Sequence, residues 1–139
     1  MTDALTQSLR IAASGLQAQS LRLRVVAENL ANSESAGSTP GADPYRRRSV
    51  VFGAELDRLS GAEVVDVTKV VGDPSAFRRE FQPGHPAADT NGYVKMPNVN
   101  PIIELADMKQ ANRSYEANLQ VIRQTRDMLS MTIDLLRGQ

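Results

Sequence analysis

The chain has 139 residues, of which 41% are hydrophobic but only 4% aromatic, with no Trp and no Cys. That is one domain's worth of material whose core must be aliphatic, and it excludes disulfide frameworks, zinc knuckles and thiol nucleophiles. Sixteen basic residues balance sixteen acidic ones, so the basic stripe of a nucleic-acid binder is missing too.

The first thirty or so residues, 2–32, contain no Pro and only Gly15. Leu9, Leu16, Leu23 and Leu30 recur every seven residues beside a companion row of Leu5, Ala12, Gln19 and Val26, which predicts one long helix with a coiled-coil seam. A second line, Ala4, Ile11, Ala18, Leu21 and Val25, lies away from the Leu seam, and one partner helix does not cover both. The opening MTDALTQSLRIAAS carries an early acid and no basic head before a continuous apolar stretch, so no cleaved secretory signal is expected. No run of 18 apolar residues occurs anywhere, which predicts no membrane span.

Residues 33–100 hold six of the seven Pro and seven of the nine Gly and read as an insert of loops and short strands. A Ser/Gly/Pro-rich loop, Ser33 to Pro44, precedes β-like runs at Arg48–Phe52, Val64–Val71, Phe77–Phe81 and Gly92–Met96. Asn91-Gly92 reads as a hairpin turn, so a small antiparallel sheet or a pair of hairpins is expected. Arg46-Arg47-Arg48 reads as charge guarding an exposed strand edge. The only His, His85, sits in Pro83-Gly84-His85-Pro86; with no Cys to complete a ligand set it reads as a turn residue, not a metal ligand.

After Pro101 the helical period returns in Met108, Tyr115, Ile122, Leu129 and Leu136, flanked by Leu105, Leu119 and Ile133, and widened by Val121, Met128 and Leu135. Gly138 is a stop. At 1.5 Å per residue the two helices run to about 46 and about 55 Å, longer than the roughly 37 Å diameter of a compact globule of this size. The fold class that follows is mainly α with small β: two long terminal helices, 1–32 and 101–139, form an antiparallel coiled-coil pair and one discontinuous core domain, around the 33–100 insert. Part of their apolar surface is then left for other molecules. Asn29, Asn32 and Ser33 read as helix-cap and loop-start residues.

No phosphate loop, dinucleotide fingerprint or Ser nucleophile elbow is present. Carboxylates are scattered rather than paired, so spacing neither locates nor excludes acid–base catalysis; two long helices offer little concave pocket, and no catalytic, cofactor-binding or metal residues and no cofactor are expected. An enzyme hidden in the insert would need such a carboxylate pair in a cleft.

Ser14-Gly15-Leu16 followed by Ala27-Glu28-Asn29-Leu30-Ala31-Asn32 resembles the N-terminal signature of bacterial flagellar axial proteins. Pro44-Tyr45-Arg46-Arg47, Asp73-Pro74-Ser75, Pro83-Gly84-His85-Pro86, Gly92-Tyr93-Val94 and Pro97-Asn98-Val99-Asn100 resemble the family of basal-body rod proteins, and Glu104, Met108, Ala111 and Arg113 to Asn118, Tyr115 among them, continue the likeness. The resemblance covers nearly the whole chain and implies a structural subunit of the proximal rod. Such subunits stack through their terminal helices into a hollow shaft crossing the periplasm, which transmits motor torque and serves as export channel. It implies as partners other copies of the chain, other rod proteins and the flagellar type III export apparatus, through which it leaves the cytoplasm without a cleaved signal. A soluble helical adaptor or chaperone of the export system is the alternative.

In that frame Leu9, Leu16, Leu23 and Leu30 are expected to pair with Tyr115, Ile122, Leu129 and Leu136 inside one subunit. Ile11, Leu21 and Val25, with Val121, Met128 and Leu135, are expected to face neighbouring subunits.

Overall fold

The computed structural model describes residues 2–57 and 61–138. Its elements run α1 (Thr2–Ala31), β1 (Arg48–Asp57), β2 (Ala62–Gly72), β3 (Arg78–Phe81), β4 (Tyr93–Met96) and α2 (Pro101–Arg137). About half the chain is helical, and both helices are unbroken.

Helix α2 starts where Asn100 accepts the Ile102 N–H on its side chain at 3.1 Å and Pro101 occupies the first turn, a position where the missing Pro N–H costs nothing. It stops at Gly138, whose N–H reaches the Asp134 carbonyl at 3.1 Å. Helix α1 ends with Asn32, which gives both its backbone N–H (3.1 Å) and its side-chain amide (2.8 Å) to the Glu28 carbonyl. Asn32 thus does the terminal work expected of it.

The helices lie antiparallel. Asn29 meets Glu104 at 3.1 Å, and Gly15 lies against Asn118, two heptads away on both helices. A Cβ at Gly15 would come within 2.7 Å of the Asn118 amide nitrogen, so the glycine permits a close approach. The buried line on α1 comprises Ala12, Gly15, Ala18, Val25, Val26 and Asn29; on α2 it comprises Glu104, Ala111 and Thr125. Small residues therefore fill the helix contact, and large ones flank it.

Two separate two-stranded antiparallel ribbons make up the insert. β1 and β2 pair from Arg48↔Gly72 to Asp57↔Ala62, with a bulge between Val51 and Phe52. Both strands are longer than the runs expected. The ribbon leans on α1: the Val65 N–H donates to the Ser14 hydroxyl at 3.1 Å, and Arg10 pairs with Asp57 at 2.6 Å. α1 is thus held between α2 on one side and the ribbon on the other.

β3 and β4 pair Arg78↔Met96 to Phe81↔Tyr93 and close over a small satellite core of Ala87, Val94 and Met96 backed by Ala36 and Ala88. Asn91-Gly92, expected as a hairpin turn, does not by itself join two strands; it ends the long connection between β3 and β4. Gly92 has φ +82, and a Cβ there would meet Phe81 at 2.8 Å. Asp89 organises that bend by accepting from the backbone N–H groups of Asn91 and Tyr93, both at 2.9 Å, and from Arg79 at 2.8 Å. Those donors hold its carboxyl below the ordinary range, the Tyr93 bond first. In the preceding turn His85 accepts the Ala87 N–H on Nδ1 at 3.0 Å.

Candidate functional site

Two features stand out: a buried polar knot at one end of the helix pair, and an uncovered apolar surface along and beyond it.

The knot begins with Glu104, in the first turn of α2 and 0% exposed. An isolated buried carboxylate is costly, so it must be paired and hydrogen-bonded. Arg47 supplies the charge, donating from Nε at 2.5 Å, and Asn29 donates its amide at 3.1 Å. Burial pulls the Arg47 guanidinium downward, but the Glu104 hydrogen bond and charge, with Asp73 behind them, outweigh it and leave it more firmly protonated than usual. Asn29, expected as a helix-cap residue, is instead fully buried and satisfied on every side. Its Oδ1 accepts from the Tyr45 hydroxyl and the Arg48 N–H, both at 2.9 Å, and its Nδ2 also donates to the Arg48 carbonyl at 2.8 Å. Burial raises the Tyr45 hydroxyl above its ordinary range despite Arg48 nearby, which keeps it a donor.

Asn98 extends the knot. Its Oδ1 accepts the Arg47 N–H at 2.8 Å, and its Nδ2 donates to Asp73 and Ser75 carbonyls and the Ser75 hydroxyl at 2.9 to 3.2 Å. The Asp73 carboxylate is pulled below its usual range chiefly by hydrogen bonds from Ser75. Arg46 donates to the Asp73 carbonyl at 2.8 Å and lies over the Phe77 ring at 4.3 Å, and Arg48 pairs with Glu28 at 3.2 Å. Of the three arginines only Arg47 turns inward, to the buried Glu104; Arg46 donates to the backbone carbonyls of Asp73 and Ser75, and Arg48 stays exposed beside Glu28 at the start of β1. Nearby, Arg22 of α1 pairs closely with Asp107 of α2.

The expected helix stripes fall differently from the sequence reading. Leu9, Leu16, Leu23 and Leu30 are half-buried along one flank of α1, as are Tyr115, Ile122 and Leu129 on α2. Leu136, expected in the inner seam, is 72% exposed, because the Asn29–Glu104 register carries the end of α2 past the described start of α1. Val25, expected to face a neighbour, is 3% exposed and shares a hollow with Val26, Val50 and Asp107. It lies one turn from Asn29 and two turns from Ala18, on the line that faces inward. Leu21 is half-buried over an open groove of 460 Å³ between α1 and β2. Ile11, Val121, Met128 and Leu135 are exposed, Leu135 by 75%. Of the remaining motif residues, Ala31, Pro83, Gly84 and Pro86 lie at the surface, while Pro97 is fully buried beside Asn98.

More apolar surface is open than those positions alone. Ile102, Ile103 and Leu105 at the start of α2 and Met131, Ile133 and Leu136 at its end are exposed. Among the described residues no group of three His, Asp or Glu side chains converges as a metal site would require, and no helix is long and apolar enough to cross a membrane.

Two family models match the chain: "Flagella basal body rod protein" over residues 9–42 and "Flagellar basal body rod FlgEFG protein C-terminal" over residues 90–135. The first covers most of α1 and the loop after it, the second β4 and nearly all of α2. The chain is similar to the flagellar basal-body rod protein FlgC of Agrobacterium fabrum, 63% identical over 136 residues that span 98% of each chain. It is likewise similar to FlgC of Yersinia enterocolitica, 42% identical over 90% of this chain and 92% of that one. FlgC of Salmonella typhimurium is 40% identical over 95% of this chain and 98% of its own.

Proposed function

This chain belongs to the family of the flagellar basal-body rod protein FlgC and is a structural subunit of the rod, and from that premise we propose that it builds the proximal rod by stacking its terminal helices against those of neighbours. The helices form one discontinuous unit, with residues 33–100 as an insert held on its flank. Copies of the chain and other rod proteins are the partners, and the assembled shaft is hollow, crosses the periplasm, carries motor torque and passes export substrates. The subunit reaches it through the flagellar export apparatus without a cleaved signal and performs no catalysis of its own.

The observation that carries this reading is the unspent apolar surface of α2. Met128 and Met131 stand open beside Ala4 and Leu5 of α1, and Leu135 and Leu136 stand open past the described start of that helix. A monomer gains nothing from such a surface, whereas a stack of copies buries it at about 25 cal/mol per Å². The interface residues are Ile11, Leu21, Val121, Met128 and Leu135, joined by the half-buried Leu9, Leu16, Leu23 and Leu30 flank. Torque is borne because interlocked side chains pack at near-crystalline density and resist sliding. Zero net charge removes the repulsion that many charged copies would accumulate. The relatives above are named as rod proteins, which leaves an export adaptor without support.

Leu135→Asp and Met128→Asp test this reading. Each is expected to leave the helical circular dichroism of the purified chain intact while abolishing its fractionation with basal bodies and swimming in a strain lacking the native copy. Normal basal bodies and motility with both changes present would overturn it.

A further inference from the structure

We propose that Asn29, Tyr45, Arg47 and Glu104 form a register lock, a polar latch that selects one alignment of the two terminal helices out of several that their contact surface would accept.

The contact surface itself discriminates poorly. At seven-residue steps α1 presents Ser8, Gly15, Arg22 and Asn29, and α2 presents Glu104, Ala111, Asn118, Thr125 and Thr132. Apart from Arg22, whose side chain reaches Asp107, the residues between the two ends are small or short, and Gly15 opposite Asn118 would fit opposite Ala111 or Thr125 with no larger side chain to accommodate. The hydroxyls of Ser8, Thr125 and Thr132 bond to carbonyls of their own helix, at Ala4, Val121 and Met128. They tie neither helix to the other. A slip of one heptad therefore preserves the middle of the seam.

The knot does not survive that slip. Moving α2 by seven residues would place Glu104 away from Asn29 and from Arg47, leaving a buried charge and a buried amide without partners. Asn29 has no spare capacity: its oxygen takes two donors and its nitrogen serves two acceptors. Tyr45 and Arg47 belong to the strap 45–48, whose backbone is pinned by Asn29 at Arg48 and by Asn98 at Arg47. The latch therefore closes only when α1, α2 and the strap are all in place, and it makes the insert report on how the helices are paired. Arg22 with Asp107, partly open to solvent, adds a weaker mark of the same alignment. Buried polar residues set register in coiled coils in the same way, trading stability for uniqueness.

An apolar replacement separates register from stability. Arg47→Met combined with Glu104→Leu removes the ion pair together, so no lone charge remains, and such exchanges are often neutral or stabilising. The chain has no Cys, so cysteine pairs report alignment without background. Gly15→Cys with Asn118→Cys marks the native register, where the two positions touch; Gly15→Cys with Thr125→Cys, with Asn118→Ala added to make room, marks the slipped one. In the otherwise unchanged full-length chain, oxidation under dilute conditions is expected to close only the first pair within a monomer. In the background carrying both apolar replacements, with urea midpoint unchanged or raised, the second pair is expected to close to a yield comparable with the first. Asn29→Ala should give the same loss of discrimination with a lowered midpoint. Should the apolar double variant keep the native pair alone, the lock does not set register. Should it fail to fold, Tyr45→Phe and Glu104→Gln, which keep shape and volume, are read in the same assay, and native cross-linking alone in both would overturn the proposal.

Discussion

The two ends of the helix pair are built on opposite principles. At one, Asn29, Tyr45, Arg47, Asn98 and Glu104 spend nearly every polar group on one another, and the strap 45–48 ties α1, β1 and α2 together. At the other, the last turns of α2 carry Met131, Leu135 and Leu136 into the open with little to pack on. The polar groups of the first end are satisfied within a single chain, with Ile102, Ile103 and Leu105 open on the outer side beside them, whereas the last turns of α2 have no such internal partners. The contrast separates the two tasks of an assembling subunit: a finished region fixes its shape, and an unfinished one leaves surface for neighbours.

The sharpest way to break this comparison is native-state hydrogen exchange on the free chain. Amides of 25–29 and 104–111 should open only with global unfolding, while those of 131–137 should exchange at nearly unprotected rates. The difference then approaches the whole unfolding free energy, about 5–15 kcal/mol for a domain. Equal protection at both ends of α2 would show that the overhang is folded without a partner and that the contrast is false.

Arg47→Ala attacks the finished end directly. It leaves Glu104 charged, buried and short of its main partner, a loss of about 3–5 kcal/mol in urea unfolding. Val25→Asp, by contrast, says nothing about an interface, since Val25 is inside the chain and the change unfolds it.

Helix boundaries, antiparallel pairing and the position of the insert were legible in the sequence because Pro and Gly exclusion and a seven-residue period mark long helices plainly. Which face turns inward was not. A search for large apolar residues favours Leu9, Leu16, Leu23 and Leu30, yet the helices meet over Gly15, Ala18, Ala111 and Asn118, because small side chains bring the axes closer. The row Glu104, Ala111, Asn118, Thr125 has the same period as the Leu row and was the available signal. The knot was hidden for a different reason. Arg47 and Glu104 are 57 residues apart, and nothing local to an Arg-Arg-Arg run tells whether its partners are solvent or a buried acid.

A smaller effect probes the seam between the two ends. Gly15→Ala gains about 1 kcal/mol of helix propensity but sets a Cβ at 2.7 Å from the Asn118 amide, and overpacking of that kind costs about 1–3 kcal/mol. The single change should be neutral to mildly destabilising. With Asn118→Ala added, the obstruction is gone and the propensity gain remains, so Gly15→Ala in that background should be stabilising by roughly 1 kcal/mol. A cycle with no coupling between the two positions would place the helices farther apart than Gly15 and Asn118 indicate.

The least disruptive probe is proton titration of the finished end. Tyr45 is raised above its ordinary value by burial, so the folded state holds that proton more tightly than the unfolded chain does. Stability from this group is complete below the ordinary tyrosine pKa of about 10 and is lost as pH rises through the higher folded value. Asp73 and Asp89 have the opposite sign: their carboxyls are lowered, so their contribution is present above about pH 4 and disappears as pH falls through the folded values. Tyr45→Phe keeps the ring and removes the hydroxyl bond to Asn29, at a cost of about 1 kcal/mol near neutrality. It should also flatten the alkaline limb of the stability profile while leaving the acid limb untouched. An unchanged alkaline limb would mean that Tyr45 does not donate into the knot, and that Asn29 is held by the strap backbone and Glu104 alone.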